Sequence, residues 1–104
     1  MAKKLIYVCS PYAGDVDKNV ENACKFSRYV YEQGCIPITP HLLYPQFLDD
    51  ANDNERADGL NIGIELLNLC NEIWVFGEKI SAGMTAEIAM AEYKNMPIKY
   101  IKEI

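Results

Sequence analysis

Four short apolar runs, each separated from the next by a stretch of helical character, constrain this chain more than any other feature. They are Leu5–Cys9, Ile36–Thr39, Glu72–Phe76 and Ile98–Ile101. The first and third are nearly continuous in Val, Ile, Leu, Tyr, Trp and Phe rather than alternating with polar residues. Such runs suit strands buried on both faces, as in parallel sheets. Between the first two, Val16, Val20, Ala23, Ser27 and Val30 recur at helical spacing after a cap at Asp15 or Asp17. Gly34 stands where a C′ glycine ends a helix. A second helix is predicted from about Glu55 to Leu69, capped by Asp53 or Asn54, with Leu60, Ile64 and Leu67 on its buried face. A third covers Ile88–Tyr93 and stops at Asn95-Met96-Pro97.

The order βαβαβαβ implies an α/β fold: a doubly wound parallel sheet of four to five strands with helices on both faces, flavodoxin-like or Rossmann-like. Crossovers are expected to be right-handed. Pro37 removes a ladder donor and places the second strand at a sheet edge. Residues 1–104 read as one domain, without linker, repeat or low-complexity segment. Pro40–Pro45 leaves the second strand as a loop, and the acidic, irregular segment Gln46–Asn54 reads as a flap of the kind that often carries function.

Composition narrows the partners. The 104 residues carry a net charge of −5, and the lysines are dispersed along the chain. A nucleic-acid surface needs clustered Lys and Arg, so a polymer partner is disfavoured. A small ligand with one phosphate is compatible, because a helix N-terminus binds it without any basic residue. No apolar run is long enough to span a membrane, and the run after Met1-Ala2-Lys3-Lys4 is too short for a signal segment, so a cytoplasmic location is expected. The four cysteines form no Cys-x-x-Cys pair, which argues against a zinc site; in a reducing compartment they read as small core residues. Cys9, at a strand end, also admits a nucleophilic reading, but the single histidine in the chain leaves it few bases.

In a parallel sheet the loops at the carboxyl edges of the strands share one rim. Here that rim collects Cys9–Gly14, Pro40–Tyr44 and Gly77–Glu87. Ile80-Ser81-Ala82-Gly83-Met84-Thr85-Ala86-Glu87 reads as a small loop joining a strand to a helix N-terminus, which is an anion site. Glu87 near that end is expected to be stabilised as the anion, and an anionic carboxylate in a dry pocket attacks a sugar carbon or stabilises an oxocarbenium-like centre. Its plain alternative is a glutamate complementing the dipole. Ser81 and Gly83 suit a phosphate, the alternative being an ordinary capped loop; no complete glycine-rich phosphate motif is present. His41 follows a strand on the rim and is either a site residue or a satisfied structural histidine. Tyr7 is core by default, yet a buried phenol needs a partner, and a carboxylate serves. Tyr12 and Tyr44 offer rings for stacking. Arg56 reads as a surface ion-pair member before a phosphate clamp.

Three motifs carry a resemblance: Tyr7-Val8-Cys9-Ser10-Pro11-Tyr12 at the first strand end, Thr39-Pro40-His41 after the second, and Ser81-Ala82-Gly83 ahead of Glu87. With the strand after Met96-Pro97, they make nearly the whole chain resemble the nucleoside 2-deoxyribosyltransferase superfamily. The likeness runs to its small members with a Ser-Pro-Tyr start and a Ser-x-Gly-Met-x-x-Glu loop, near the deoxynucleoside 5′-monophosphate N-glycosidases. The resemblance implies that Glu87 is the nucleophile and that Tyr7 orients or tunes it. It implies a 5′-phosphate on Ser81 and Gly83, with Met84 beside them and Ser10, Tyr12, Gly14 and His41 as further substrate-binding candidates. It implies no metal or other cofactor, a nucleoside or nucleotide as partner, and a homodimer or larger homo-oligomer sharing its sites. One departure stands out. The family's helix aspartate, which helps protonate the leaving base, maps onto Gly63, and Asn71 replaces the aspartate that opens the third strand. His41 is the other candidate acid. The missing acid also suits a different class of function: a nucleotide-binding or sensor module without turnover. A vestigial pocket on a structural fold is the third possibility.

Overall fold

The computed structural model describes residues 2–104. The four apolar runs become β1 (Leu5–Cys9), β2 (Ile36–Ile38), β3 (Glu72–Phe76) and β4 (Ile98–Ile101). Three helices connect them: α1 (Val16–Glu32), α2 (Asp53–Leu69) and α3 (Ala82–Tyr93). Every strand pair is parallel, and the order across the sheet is β2-β1-β3-β4. The chain thus starts in the middle, steps outward to β2, returns to the other side of β1 and proceeds to β4. Strand order reverses between β1 and β3, which is the switch point where doubly wound sheets bind ligands. Pro37 lies on β2, at the edge expected for it.

The helices divide between the two faces as right-handed crossovers require. Along β1, successive side chains alternate. Ile6 and Val8 join Trp74 and Phe76 beneath α1, where Val30, Phe26 and Tyr29 close the layer. Tyr7 and Cys9 join Ile73 and Val75 on the opposite face, beneath Leu67 of α2 and Met84 and Ala91 of α3. Residues 6 to 9 are at most 1 % exposed. A strand covered on both sides must be apolar at every position, which is why β1 does not alternate in sequence.

Several boundaries differ from the expectations, each for a local reason. The cap of α2 is Asn52, whose side chain accepts from the N–H groups of Asn54 and Glu55 at 3.0 and 3.1 Å. Asp53 and Glu55 then fall in the first turn, where carboxylates complement the dipole. The cap of α1 is Asp15, bonded by the Lys18 N–H. Pro40–Leu42 and Tyr44–Gln46 are short 3-10 turns rather than open loop. Leu60 is 65 % exposed, contrary to its assignment to the buried face, while Gly63 and Leu67 are buried. In a βαβ unit the helix runs back across the sheet, so the N-terminal half of α2 lies toward the carboxyl edges. Leu60 therefore lies past the sheet on the stripe that Leu67 packs against it. Finally, α3 begins at Ala82, six residues earlier than expected, because Ser81 caps it and nothing in Ala82-Gly83-Met84 breaks a helix.

Candidate active site

Two periodicities bring the site together. Period two along β1 turns Tyr7 and Cys9 to the same face of the sheet. Helical spacing along α3 places Met84, Glu87 and Ala91 on one stripe, and Met84 and Ala91 are buried against that face. Glu87 is carried inward between them. Its Oε2 accepts from the Tyr7 hydroxyl at 2.5 Å, and its Oε1 accepts from the Cys9 thiol at 3.3 Å. Both carboxylate oxygens are therefore held, one by a short O–H···O⁻ bond of the charge-assisted kind and one by a weak S–H donor.

Electrostatics at this carboxylate differ from the expectation of a dipole-stabilised anion. Burial pushes the Glu87 carboxyl above its ordinary value, and the Tyr7 and Cys9 bonds only partly oppose it. The helix field falls off within the first turn, and Glu87 lies in the second. Burial, reinforced by the Glu87 charge, raises both the Tyr7 phenol and the Cys9 thiol well above their usual ranges. Tyr7 and Cys9 thus stay protonated and serve as donors, and Cys9 is no thiolate nucleophile. A thermodynamic consequence follows for Cys9→Ala. With one donor gone, Glu87 is expected to titrate higher still, whereas Cys9→Ser restores a hydroxyl donor and brings the value back toward wild type. The carboxyl chemical shift of ¹³C-labelled glutamate, followed against pH, reads both.

The rest of the rim forms a second cluster. Ser10 Oγ and His41 Nε2 are 2.9 Å apart, and the Tyr12 ring stands edge-on to the imidazole with centroids 6.3 Å apart. Burial pulls His41 down to about 4, so it is neutral at pH 7. Its hydrogen-bond partner is Ser10, not Glu87. The loop that carries Ser10 and Tyr12 is tied to α1 by the Asn19 amide, which donates to the Tyr12 and Ala13 carbonyls at 3.0 and 3.1 Å. Gly14 sits at the exposed entry to α1 with φ of +98°, a backbone conformation suited to glycine.

At the start of α3, Ser81 Oγ accepts from the Met84 N–H at 3.2 Å. The Ala82 and Gly83 N–H groups stand in the first turn, where no intrahelical acceptor exists. Ser81 and Gly83 are exposed, so these groups face solvent at a helix N-terminus of twelve residues. Met84, a substrate-binding candidate from sequence, is 1 % exposed and belongs to the core beneath α3. Arg56 pairs with Asp53 at 3.4 Å on the surface of α2. Tyr44 packs against Phe47.

Gly63 proves to be part of the site's wall. A Cβ built on it would meet the Tyr7 hydroxyl at 3.5 Å and no other non-neighbouring atom within 4 Å. Position 63 therefore looks onto the Tyr7–Glu87 pair, with space where a side chain would be. The partnership of Cys9 with Glu87 is the element that sequence reading missed. The available signal was the strand period, which puts residue 9 on the same face as residue 7. A separate cavity of ≈ 260 Å³ lies on the α1 face, between Pro11, Asn22, Phe26, Phe76 and Lys79. Sharing the α1 layer with Phe26 and Phe76, it lies across the sheet from Glu87 and plays no part in this site.

Comparison with known proteins agrees with the fold. The family model described as "Domain of unknown function (DUF7768)" matches residues 4–101, and the chain belongs to that family. Among solved structures, it is similar to the 2-deoxyribosyltransferase of the psychrotolerant bacterium Bacillus psychrosaccharolyticus. The TM-score is 0.77 at 14% identity, over 96% of this chain and 75% of that one. Among curated proteins, none matches. The chain therefore has the α/β fold of a 2-deoxyribosyltransferase. No described helix is long and apolar enough to cross a membrane.

Proposed function

We propose that this DUF7768 member breaks and remakes the base–sugar bond of a nucleoside 5′-monophosphate, with Glu87 as the nucleophile. The observation that carries this reading is the held carboxylate: a half-buried glutamate at the switch point, fixed through both oxygens by Tyr7 and Cys9. A purely structural glutamate has little reason to occupy that place, since burying a carboxylate is costly unless its environment uses it. The exposed start of α3, with Ser81 and Gly83, supplies an anion site about one helical turn from Glu87. Together these set a phosphate and a nucleophile apart by the scale of a pentose. Ser10, Tyr12 and His41 supply a polar and aromatic surface on the same rim, on which a base can stack.

Glu87 attacks the anomeric carbon as the anion. The C–N bond breaks, and the sugar is held as a glycosyl ester on Glu87 until an acceptor takes it. Tyr7 keeps the carboxylate in line. A small chain encloses a nucleotide poorly on its own, so the proposal includes a homo-oligomer whose neighbouring copies add walls around the nucleotide. The exposed Phe47 and Leu60 provide apolar surface for such a contact.

Base release tests this directly. Nucleosides and their 5′-monophosphates, ribo and deoxy, are incubated with wild-type protein and with Glu87→Ala, and products are separated by chromatography. Release that needs both Glu87 and the phosphate is the expected outcome. Thermal stabilisation by nucleotides with no release by either protein would instead establish the alternative, a nucleotide-binding module without turnover, for which the bare wall at Gly63 speaks.

A further inference from the structure

A glycosidic bond to a neutral base breaks slowly unless an acid protonates the departing group, and glycosidases ordinarily place a second carboxyl across the bond for this purpose. This site holds one carboxylate. Among the described residues, its hydrogen-bond partners are Tyr7 and Cys9, and both protons are already committed to Glu87. The facing wall offers Gly63, which has no side chain. His41 is bonded to Ser10 and, being neutral at pH 7, lacks the imidazolium proton that an acid would give. The α2 carboxylates are engaged or turned to solvent: Asp53 pairs with Arg56, Glu55 accepts from the Asp49 N–H at 2.8 Å, and Asp58 and Glu65 are exposed.

We infer that the site takes a nucleotide whose base is a quaternised, cationic heterocycle, of the pyridinium class, which departs without needing a proton. The inference rests on Glu87 being the nucleophile. A Glu87 oxygen bonds to the anomeric carbon, the C–N bond breaks, and its electron pair moves to the ring nitrogen. The cationic ring leaves as a neutral pyridine. In the reverse sense, the lone pair of a second pyridine attacks the anomeric carbon, the ester C–O bond breaks, and its pair returns to Glu87. No proton moves in either half. Water as acceptor must lose a proton, and no base faces it, so exchange of one pyridine for another outpaces hydrolysis. The cation also suits its surroundings. A positive ring beside Glu87 favours the charged form that burial disfavours.

The test compares two rates on wild-type protein. One is incorporation of ¹⁴C-nicotinamide into nicotinamide mononucleotide. The other is base release from neutral-base 5′-monophosphates, ribo and deoxy. Exchange is expected to be faster by roughly 100-fold or more, the usual contribution of a general acid, and to vanish in Glu87→Gln. Gly63→Asp, which installs a carboxyl opposite Tyr7, is expected to raise neutral-base release by about tenfold or more; the wild-type comparison stands without it. Glu87-dependent release from neutral nucleotides at a rate equal to the exchange would overturn the inference and leave the nucleophile intact. Absence of both reactions, or exchange that survives Glu87→Gln, would overturn the inference and the nucleophile together.

Discussion

Glu87→Gln is expected to lower turnover of the best substrate by at least about 10³-fold, equivalent to roughly 4 kcal/mol of transition-state stabilisation. The amide is nearly isosteric and its oxygen still accepts the Tyr7 proton, so the cleft keeps its shape. What disappears is the anionic oxygen proposed to bond to the sugar. Nucleotide binding, measured by calorimetry, is expected to change far less than turnover, because the proposed phosphate and base contacts lie on Ser81, Gly83 and the rim. The variant also has a pH signature. Burial raises the folded-state value of Glu87, so its contribution to stability is fully present below the ordinary carboxylate value of 4.5 and is lost as pH rises through the folded value. Activity is expected to run the other way, since the proposed nucleophile is the anion. Wild type is therefore expected to gain activity and lose some stability over the same rise in pH, and Glu87→Gln to show neither trend. A variant with unchanged turnover would remove Glu87 from the chemistry.

His41 carries the second large expectation, on stability. Burial holds it at about 4 in the folded chain, against 6.5 when exposed. An unfolded chain therefore binds a proton near pH 6.5 that the folded chain refuses until about 4. The stability tied to neutral His41 is present above 6.5 and is lost as pH falls from there toward 4, to the extent of about 3 kcal/mol. Glu87 acts with opposite sign at the lower end of this window, so the effect is cleanest in a Glu87→Gln background. Urea unfolding at several values between pH 7.5 and 4 is expected to show a midpoint that falls with acid, and His41→Gln is expected to flatten it. An equal acid response with and without His41 would show that the imidazole is not held neutral. Protonation leaves the ring with donors on both nitrogens, so in the Ser10–His41 bond the serine hydroxyl can then only accept.

The strands were legible because burial on both faces forces continuous apolar runs, and Leu5–Cys9 and Glu72–Phe76 are such runs. Their order followed from alternation with helices, and Pro37 marked the edge. The pairing of Tyr7 with Glu87 was anticipated through resemblance and the demand of a buried phenol for a partner. The start of α3 was not, because Ser81-Ala82-Gly83 reads as a loop when glycine is taken as a breaker; a serine cap tolerates glycine in the first turn. Leu60 was misplaced for a different reason. Helical spacing gives the stripe but not where the sheet beneath it ends. Cys9 was weighed as an isolated thiol, and its role emerged only when α3 brought a carboxylate over it. Met84 was grouped with the phosphate loop by adjacency, whereas one residue along a helix turns a side chain by about 100° and here sends it into the core.

Intact-protein mass spectrometry offers the most direct test of covalent catalysis by Glu87. The protein is incubated with the panel of nucleotides and with 2′-fluoro analogues, whose electron-withdrawing substituent slows release of the glycosyl ester. The expected result is a mass increase of one sugar phosphate, mapped by peptide sequencing to Glu87 and absent from Glu87→Gln. A nucleotide that binds and stabilises the protein yet leaves no adduct while its base is released, or an adduct on any other residue, would contradict it.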